Sequence, residues 1–276
     1  MFLAKRMAAV SKKIQSWDIT TATYHSTSAS LSAQLGGSTQ SMAISTDGAK
    51  VYAMEYGPNT IFQYTLSTPW DITSGSLSFA SKSFTISQAG GWPMRFVLSD
   101  DGARLIVVMY GRYIHQYNLS TAWDISTASF SGNSVDFTAL ETADNLFGIA
   151  VSPSGLRVYV SCPASGRIRQ WNLSTPWDLS TATYNSLLSV VTQATNAYGV
   201  TISTNGQFIY VLDATTPSVY QYSLGTFFEV STGSYMSKVK SLNPPSTNPS
   251  QPVITDEGRK LYVLDGTRVI YRYTMT

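Results

Sequence analysis

Residues 171–184 read Trp-Asn-Leu-Ser-Thr-Pro-Trp-Asp-Leu-Ser-Thr-Ala-Thr-Tyr, and the Trp-Asp-Leu at the centre of this stretch recurs along the chain. The recurrences, mostly Trp-Asp-Ile, are 53, 53, 54 and 51 residues apart and begin at Trp17, Trp70, Trp123, Trp177 and the degenerate Phe228. A period near fifty residues is typical of propellers and solenoids. The repeat therefore indicates a propeller or a solenoid.

A turn glycine repeats at the same period and confirms five units, at Gly48, Gly102, Gly155, Gly206 and Gly258. Each unit reads as short strands bounded by Gly, Pro, Asn and Asp; in the first unit these are residues 42–45, 51–54 and 61–66, with a fourth strand after Trp-Asp. Four strands in each of five units predict an all-β, five-bladed β-propeller.

The two chain ends predict how the ring closes. The last unit stops at Thr276 after its third strand, whereas the first signature, at Trp17, has no strands before it. Residues 17–28 should therefore pair with residues 269–274 as the fourth strand of the last blade, leaving no free sheet edge. We expect one propeller domain over residues 15–276, preceded by an extension over residues 1–14.

Composition narrows the class of partner. Charged residues make up 12% of the chain, about half of the usual ~25%, which favours a virion or extracellular surface. The 18 basic residues form no basic stripe, so nucleic-acid binding is not expected. One cysteine and two histidines predict no metal site and no cofactor, and no apolar run is long enough to span a membrane.

The N-terminal extension, residues 1–14, is predicted to dock onto a partner. It carries an apolar stripe formed by Leu3, Met7, Val10 and Ile14.

The repeated residues are predicted to be structural. The Trp of each Trp-Asp pair should pack between neighbouring blades, and the Asp should accept backbone N–H bonds in an Asx-type turn. A glutamine at equivalent places of the third strands should make ladder or interblade hydrogen bonds; these are Gln63, Gln116, Gln170 and Gln221, with Arg272 in the last blade.

Loops that enter the innermost strands should converge at the mouth of the channel, where two sets of ligand-binding residues are predicted. Aligned positions carry Ser38, Trp92, Asn145, Asn196 and Asn248, a mixture of amides and one apolar platform that suits sugars. The alternative is that Asn recurs because it tolerates turn geometry. Glu55, Asp213 and Asp265 end equivalent second strands and could form a partial acidic ring. Because these acids occupy equivalent positions, they are expected to have a role in the loops rather than to act as a general acid and a general base with different pKa values. No catalytic residues are therefore predicted, and the chain is expected not to be an enzyme.

Runs such as residues 64–72 and 171–184, each following a Gly turn and a Val-Tyr-Val type strand, resemble the YVTN-like propeller repeats frequent in bacteriophage and aquatic bacterial proteins. The resemblance covers residues 15–276 and departs from the pattern at Phe227, Phe228 and Glu229. It implies a non-enzymatic structural or interaction protein of a virion, such as a tail, fibre or capsid-surface protein, with other virion proteins and host surface glycans as partners. The alternative is a lectin-like propeller that binds glycans at the channel mouth.

Overall fold

The computed structural model describes residues 17–136, 145–255 and 258–276, with the backbone alone for residues 26–29. Within these ranges, twenty strands form five antiparallel sheets of four strands each. The predicted five-bladed, all-β propeller is therefore confirmed. No helix in these ranges is long and apolar enough to cross a membrane.

Each blade runs from an innermost strand at the channel to an outermost strand at the rim. Blade 1 contains β2 (Thr39–Ile44), β3 (Lys50–Glu55), β4 (Thr60–Leu66) and β5 (Leu77–Thr85). Blade 2 contains β6 (Pro93–Leu98), β7 (Arg104–Met109), β8 (Tyr113–Leu119) and β9 (Ala128–Asp136). Blade 3 contains β10 (Ile149–Val151), β11 (Arg157–Cys162), β12 (Arg167–Leu173) and β13 (Ala182–Ser189).

Blade 4 contains β14 (Ala197–Ile202), β15 (Phe208–Asp213), β16 (Ser218–Leu224) and β17 (Gly233–Ser241). Blade 5 is β18 (Pro249–Thr255), β19 (Lys260–Asp265) and β20 (Val269–Thr274), completed by β1 (Thr23–Ser30) from the start of the chain. The β1–β20 pairing includes Thr23 opposite Thr274 and Thr27 opposite Tyr271. The predicted closure of the last blade is confirmed.

The short helical segments are 3₁₀ helices of three residues. Four follow the Trp-Asp type signature and lead into the outermost strand, and one lies between β11 and β12; they are Ile19–Thr21, Ile125–Thr127, Leu179–Thr181, Val230–Thr232 and Pro163–Ser165. Asp124 accepts the Ser126 N–H at 3.2 Å, and Asp178 accepts the Ser180 N–H at 3.0 Å. The predicted Asx-type turns are confirmed.

The core lies between the blades. In β3, alternate side chains point to opposite faces, so Val51 and Ala53 pack toward blade 5 while Tyr52 and Met54 pack toward blade 2. Both faces of the strand are buried, which explains why second strands read as continuous apolar runs. Each apolar cluster thereby joins two adjacent blades.

The predicted interblade glutamines are also confirmed. Gln63 of blade 1 accepts the Ile125 N–H of blade 2 at 2.9 Å, and Gln116 of blade 2 accepts the Leu179 N–H of blade 3 at 2.9 Å. Gln170 and Gln221 repeat the contact with Val230 and Ile19, and in blade 5 Arg272 instead donates to the Trp70 carbonyl at 3.3 Å.

Candidate functional site

The topology brings two kinds of loop to one end of the ring, which we call the upper face. Innermost strands begin where the antiparallel second strands end, so residues just before β6 lie beside residues just after β7. The Tyr110 N–H, for example, donates to the Trp92 carbonyl at 2.6 Å. These loops surround the upper mouth of the channel.

Five aromatic side chains follow the rim of this mouth, and we call them the aromatic arc: Tyr56, Trp92, Tyr110, Phe147 and Tyr198. Trp92 lies with its ring centroid 5.7 Å from that of Tyr56 and 6.2 Å from that of Tyr110. Phe147 continues the series at 5.7 Å from Tyr110 and 4.6 Å from Tyr198. Trp92 is 54% exposed and Tyr110 is 38% exposed. The arc thus offers an apolar surface to solvent at the mouth of the channel.

The aligned ring residues reach this mouth in different ways. Trp92 is the exposed centre of the arc, and the Asn145 side-chain amide donates to the Tyr110 hydroxyl at 3.1 Å. Asn196 and Asn248 instead use their backbone N–H groups, which donate to Asp213 and Asp265, each at 3.0 Å. Sequence reasoning found Trp92 and Asn145 through their common position; the rest of the arc does not share that position.

The three predicted acids are buried and hold the loops of the upper face. Glu55 accepts the Gly37 N–H at 2.5 Å, and Asp213 accepts the backbone N–H groups of Thr215 and Thr216. Asp265 accepts from Ser246 at 2.7 Å and from the Thr267 N–H at 2.8 Å. Burial opposes the charge of Asp265, but these hydrogen bonds outweigh it and lower its pKa. Direct contact of the three acids with a ligand stays a prediction.

Arg95 forms the floor of the mouth, and no repeat pattern indicates it. It is fully buried in the channel, where Nη1 donates to Gln40 Oε1 at 3.0 Å and Nη2 donates to the Ser250 carbonyl at 2.6 Å. Its guanidinium also lies 5.4 Å from the ring centroid of Tyr198, at the end of the arc. Burial lowers the pKa of Arg95 to about 10.

The lower half of the channel is a cavity of about 180 Å³ with mainly apolar walls. It opens into a recess of about 500 Å³ at the lower face, between Trp70 and Arg259. Asp100 lies at the junction, where partial burial and the charge of Asp101 raise its pKa. Within the described ranges, no group of three or more His, Cys, Asp and Glu side chains could hold a metal ion. The predicted docking residues Leu3, Met7, Val10 and Ile14 lie outside the described residues.

Comparison with known proteins shows the fold and no family. No protein-family model and no curated protein match the chain. Among solved structures, a functionally unknown protein from Desulfotomaculum acetoxidans has a TM-score of 0.50 at 14% identity, covering 84% of this chain and 64% of its own length. A candidate 6-phosphogluconolactonase from Bacteroides uniformis has a TM-score of 0.51 at 17% identity, covering 84% of this chain and 66% of its own. The chain thus spans just under two thirds of both proteins.

A luciferin-regenerating enzyme has a TM-score of 0.50 at 11% identity, with coverage of 89% of this chain and 94% of that one. Two of these three similar structures bear enzyme names, which overturns the prediction that the chain is not an enzyme. That prediction relied on the symmetric placement of the acids, but a site can also be built from residues that break the repeat, such as Arg95. At these identities the likeness shows the fold alone and assigns no reaction to this chain.

Proposed function

We propose that this propeller is an interaction protein that binds saccharides at its upper mouth. The observation that carries the proposal is the aromatic arc, with Trp92 54% exposed at its centre. Aromatic faces pack against the C–H faces of sugar rings, and nearby amides such as that of Asn145 offer hydrogen bonds to hydroxyl groups. Concave sites with an apolar lining and a few polar groups are ordinary ligand sites.

The position of Trp92 separates it from the other tryptophans. Trp70, Trp123 and Trp177 pack on the turn glycines of their own blades and join the apolar clusters between blades. Trp92 instead contacts Tyr56 and Tyr110, which are themselves partly exposed. Trp92 therefore forms a contiguous aromatic patch with Tyr56 and Tyr110, and an exposed apolar patch of this kind marks an interaction surface.

The setting we propose is a virion surface, with host surface glycans as ligands and other virion proteins as partners. This part of the proposal is supported by the low share of charged residues, 12%, and by the resemblance of the repeats to phage propellers. Removing residues 1–14 should leave the ring folded and abolish incorporation into particles, measured by immunoblotting of purified virions. Normal incorporation of the truncated protein would contradict the docking role of the extension.

Saccharide binding is tested with a glycan array and titration calorimetry on wild type, Trp92→Ala and the matched control Phe227→Ala. Phe227 is 59% exposed in the connection between β16 and β17, at the lower face. Trp92→Ala should weaken binding about tenfold or more, because the stacking surface is lost, whereas Phe227→Ala should bind like wild type. No saccharide binding by wild type, or equal affinities for wild type and Trp92→Ala, would overturn the proposal.

A further inference from the structure

The guanidinium of Arg95 spans the channel. Arg95 belongs to β6 of blade 2, whereas Ser250 and Tyr198 belong to blades 5 and 4, which are not neighbours of blade 2 in the ring. The side chain therefore crosses the axis and separates the upper mouth from the apolar cavity below. Its position is central to any ligand that enters the mouth.

Within the described ranges, the guanidinium of Arg95 is hydrogen-bonded to neutral groups only. Its acceptors are Gln40 Oε1 and the carbonyl oxygens of Met94 and Ser250, and none of the described carboxylates bonds to it. Nε has no hydrogen-bond partner in the same part of the chain. A fully buried charge without a counterion is costly, and pairing with an anion would recover part of that cost.

Arg95 is fully buried, and we expect a ligand to approach it from the arc side. Arg95 is equivalent in position to Ser41 and Gly199 of the other blades. Gln40 and Tyr198 each precede these positions by one residue, so they lie nearer to the upper face, and both side chains are half-buried. The Gln40 amide oxygen, 3.0 Å from Nη1, occupies the place that a carboxylate oxygen would take. The present bond has a charged donor and a neutral acceptor, whereas an anion that displaced this amide would also bring the opposite charge and form an ion pair with the buried guanidinium.

Resting on the proposed saccharide site, we infer that the upper mouth selects sugars that carry a carboxylate, and that Arg95 is the partner of that carboxylate. Trp92 and the rest of the arc hold the ring of the sugar, while the acidic substituent reaches the floor. The ligand class is thus acidic saccharides, such as uronic acids, rather than neutral ones.

The test compares methyl glucuronide with methyl glucoside, which differ by a carboxylate against a hydroxymethyl group, by titration calorimetry at constant ionic strength. Wild type should bind the acid about tenfold more tightly, and sodium acetate should bind far more weakly than either sugar. Arg95→Gln should remove the preference. Arg104→Gln, which changes a cation at the opposite end of the same blade, should retain it.

A second variant keeps the inference testable if Arg95→Gln fails to fold. Gln40→Glu places a carboxylate of the protein beside Nη1, so it should raise the melting temperature and abolish the preference for acid while neutral sugars still bind. Equal binding of both sugars by wild type, or an unchanged preference in Gln40→Glu, overturns the inference and leaves the saccharide site standing. Absence of binding by both acidic and neutral sugars of the array overturns the site and the inference together.

Discussion

At the scale of single residues, the tryptophan of the Trp-Asp connection and the turn glycine depend on each other. Trp123 has a φ of 62°, and Gly102 has a φ of 70°. A Cβ added to Gly102 would lie 2.3 Å from the indole ring of Trp123. The glycine is therefore required twice, for its left-handed backbone and for the close approach of the indole.

Truncation of this indole should destabilise the protein. Trp123→Ala should cost about 2–3 kcal/mol in the free energy of unfolding, below the cost for a core tryptophan because the side chain is half-buried. Trp123→Phe should cost clearly less, because blade 4 places Phe228 over Gly206 in the same way. Urea unfolding of the three proteins measures the difference. Equal stability of wild type and Trp123→Ala would show that the indole does not contribute to packing.

His115 should make stability depend on pH. Burial lowers its pKa, although its hydrogen bond to the Ala89 carbonyl at 2.9 Å opposes the shift. The unfolded chain then binds the proton at higher pH than the folded one, so stability should be complete above about pH 6.5 and fall as the pH drops below it. The free energy of unfolding, measured at about pH 7.5 and pH 5.5, should fall between the two pH values in wild type and fall less in His115→Gln. Identical losses in the two proteins would exclude His115 as the cause.

At the scale of elements, the third strands of blades 1 to 4 each join the next blade through one buried glutamine amide. Gln116→Met should leave the Leu179 N–H without its acceptor and cost about 1–3 kcal/mol. Gln207→Met is the matched control, because Gln207 bonds within its own turn to Asn205. Differential scanning calorimetry should show a lower melting temperature for Gln116→Met alone. A melting temperature equal to that of the control would contradict the interblade role.

The sequence predicts the elements well because they repeat. A glutamine such as Gln63 and an aspartate such as Asp124 recur at fixed intervals, and recurrence separates them from chance in a single chain. The upper mouth is different, since Arg95 has Ser41, Gly148, Gly199 and Gln251 at the equivalent positions. Its role depends on a side chain that crosses the channel to nonadjacent blades. Such a contact has no local or periodic signal, so only the folded ring shows it.

At the scale of the whole molecule, the ring should depend on its closing strand. Deleting residues 1–30 removes β1 and exposes β20 as an unpaired edge, which should cause aggregation or loss of the cooperative melting transition. The control deletion of residues 1–16 leaves every described residue in place. Light scattering and thermal unfolding compare the two truncated proteins. A soluble monomer with an unchanged transition after the longer deletion would contradict ring closure by β1.

The central claim is that the upper mouth, rather than the lower recess, is the binding site. Trp92 reports the upper mouth, whereas Trp70 and Trp177 line the lower recess and cavity. The measurement is a titration of protein labelled with ¹⁵N-tryptophan, which follows the indole N–H signals of the six tryptophans as a saccharide from the glycan array is added. We predict that the Trp92 signal shifts while those of Trp70 and Trp177 stay in place. Shifts of Trp70 or Trp177 with an unmoved Trp92 signal would contradict the account.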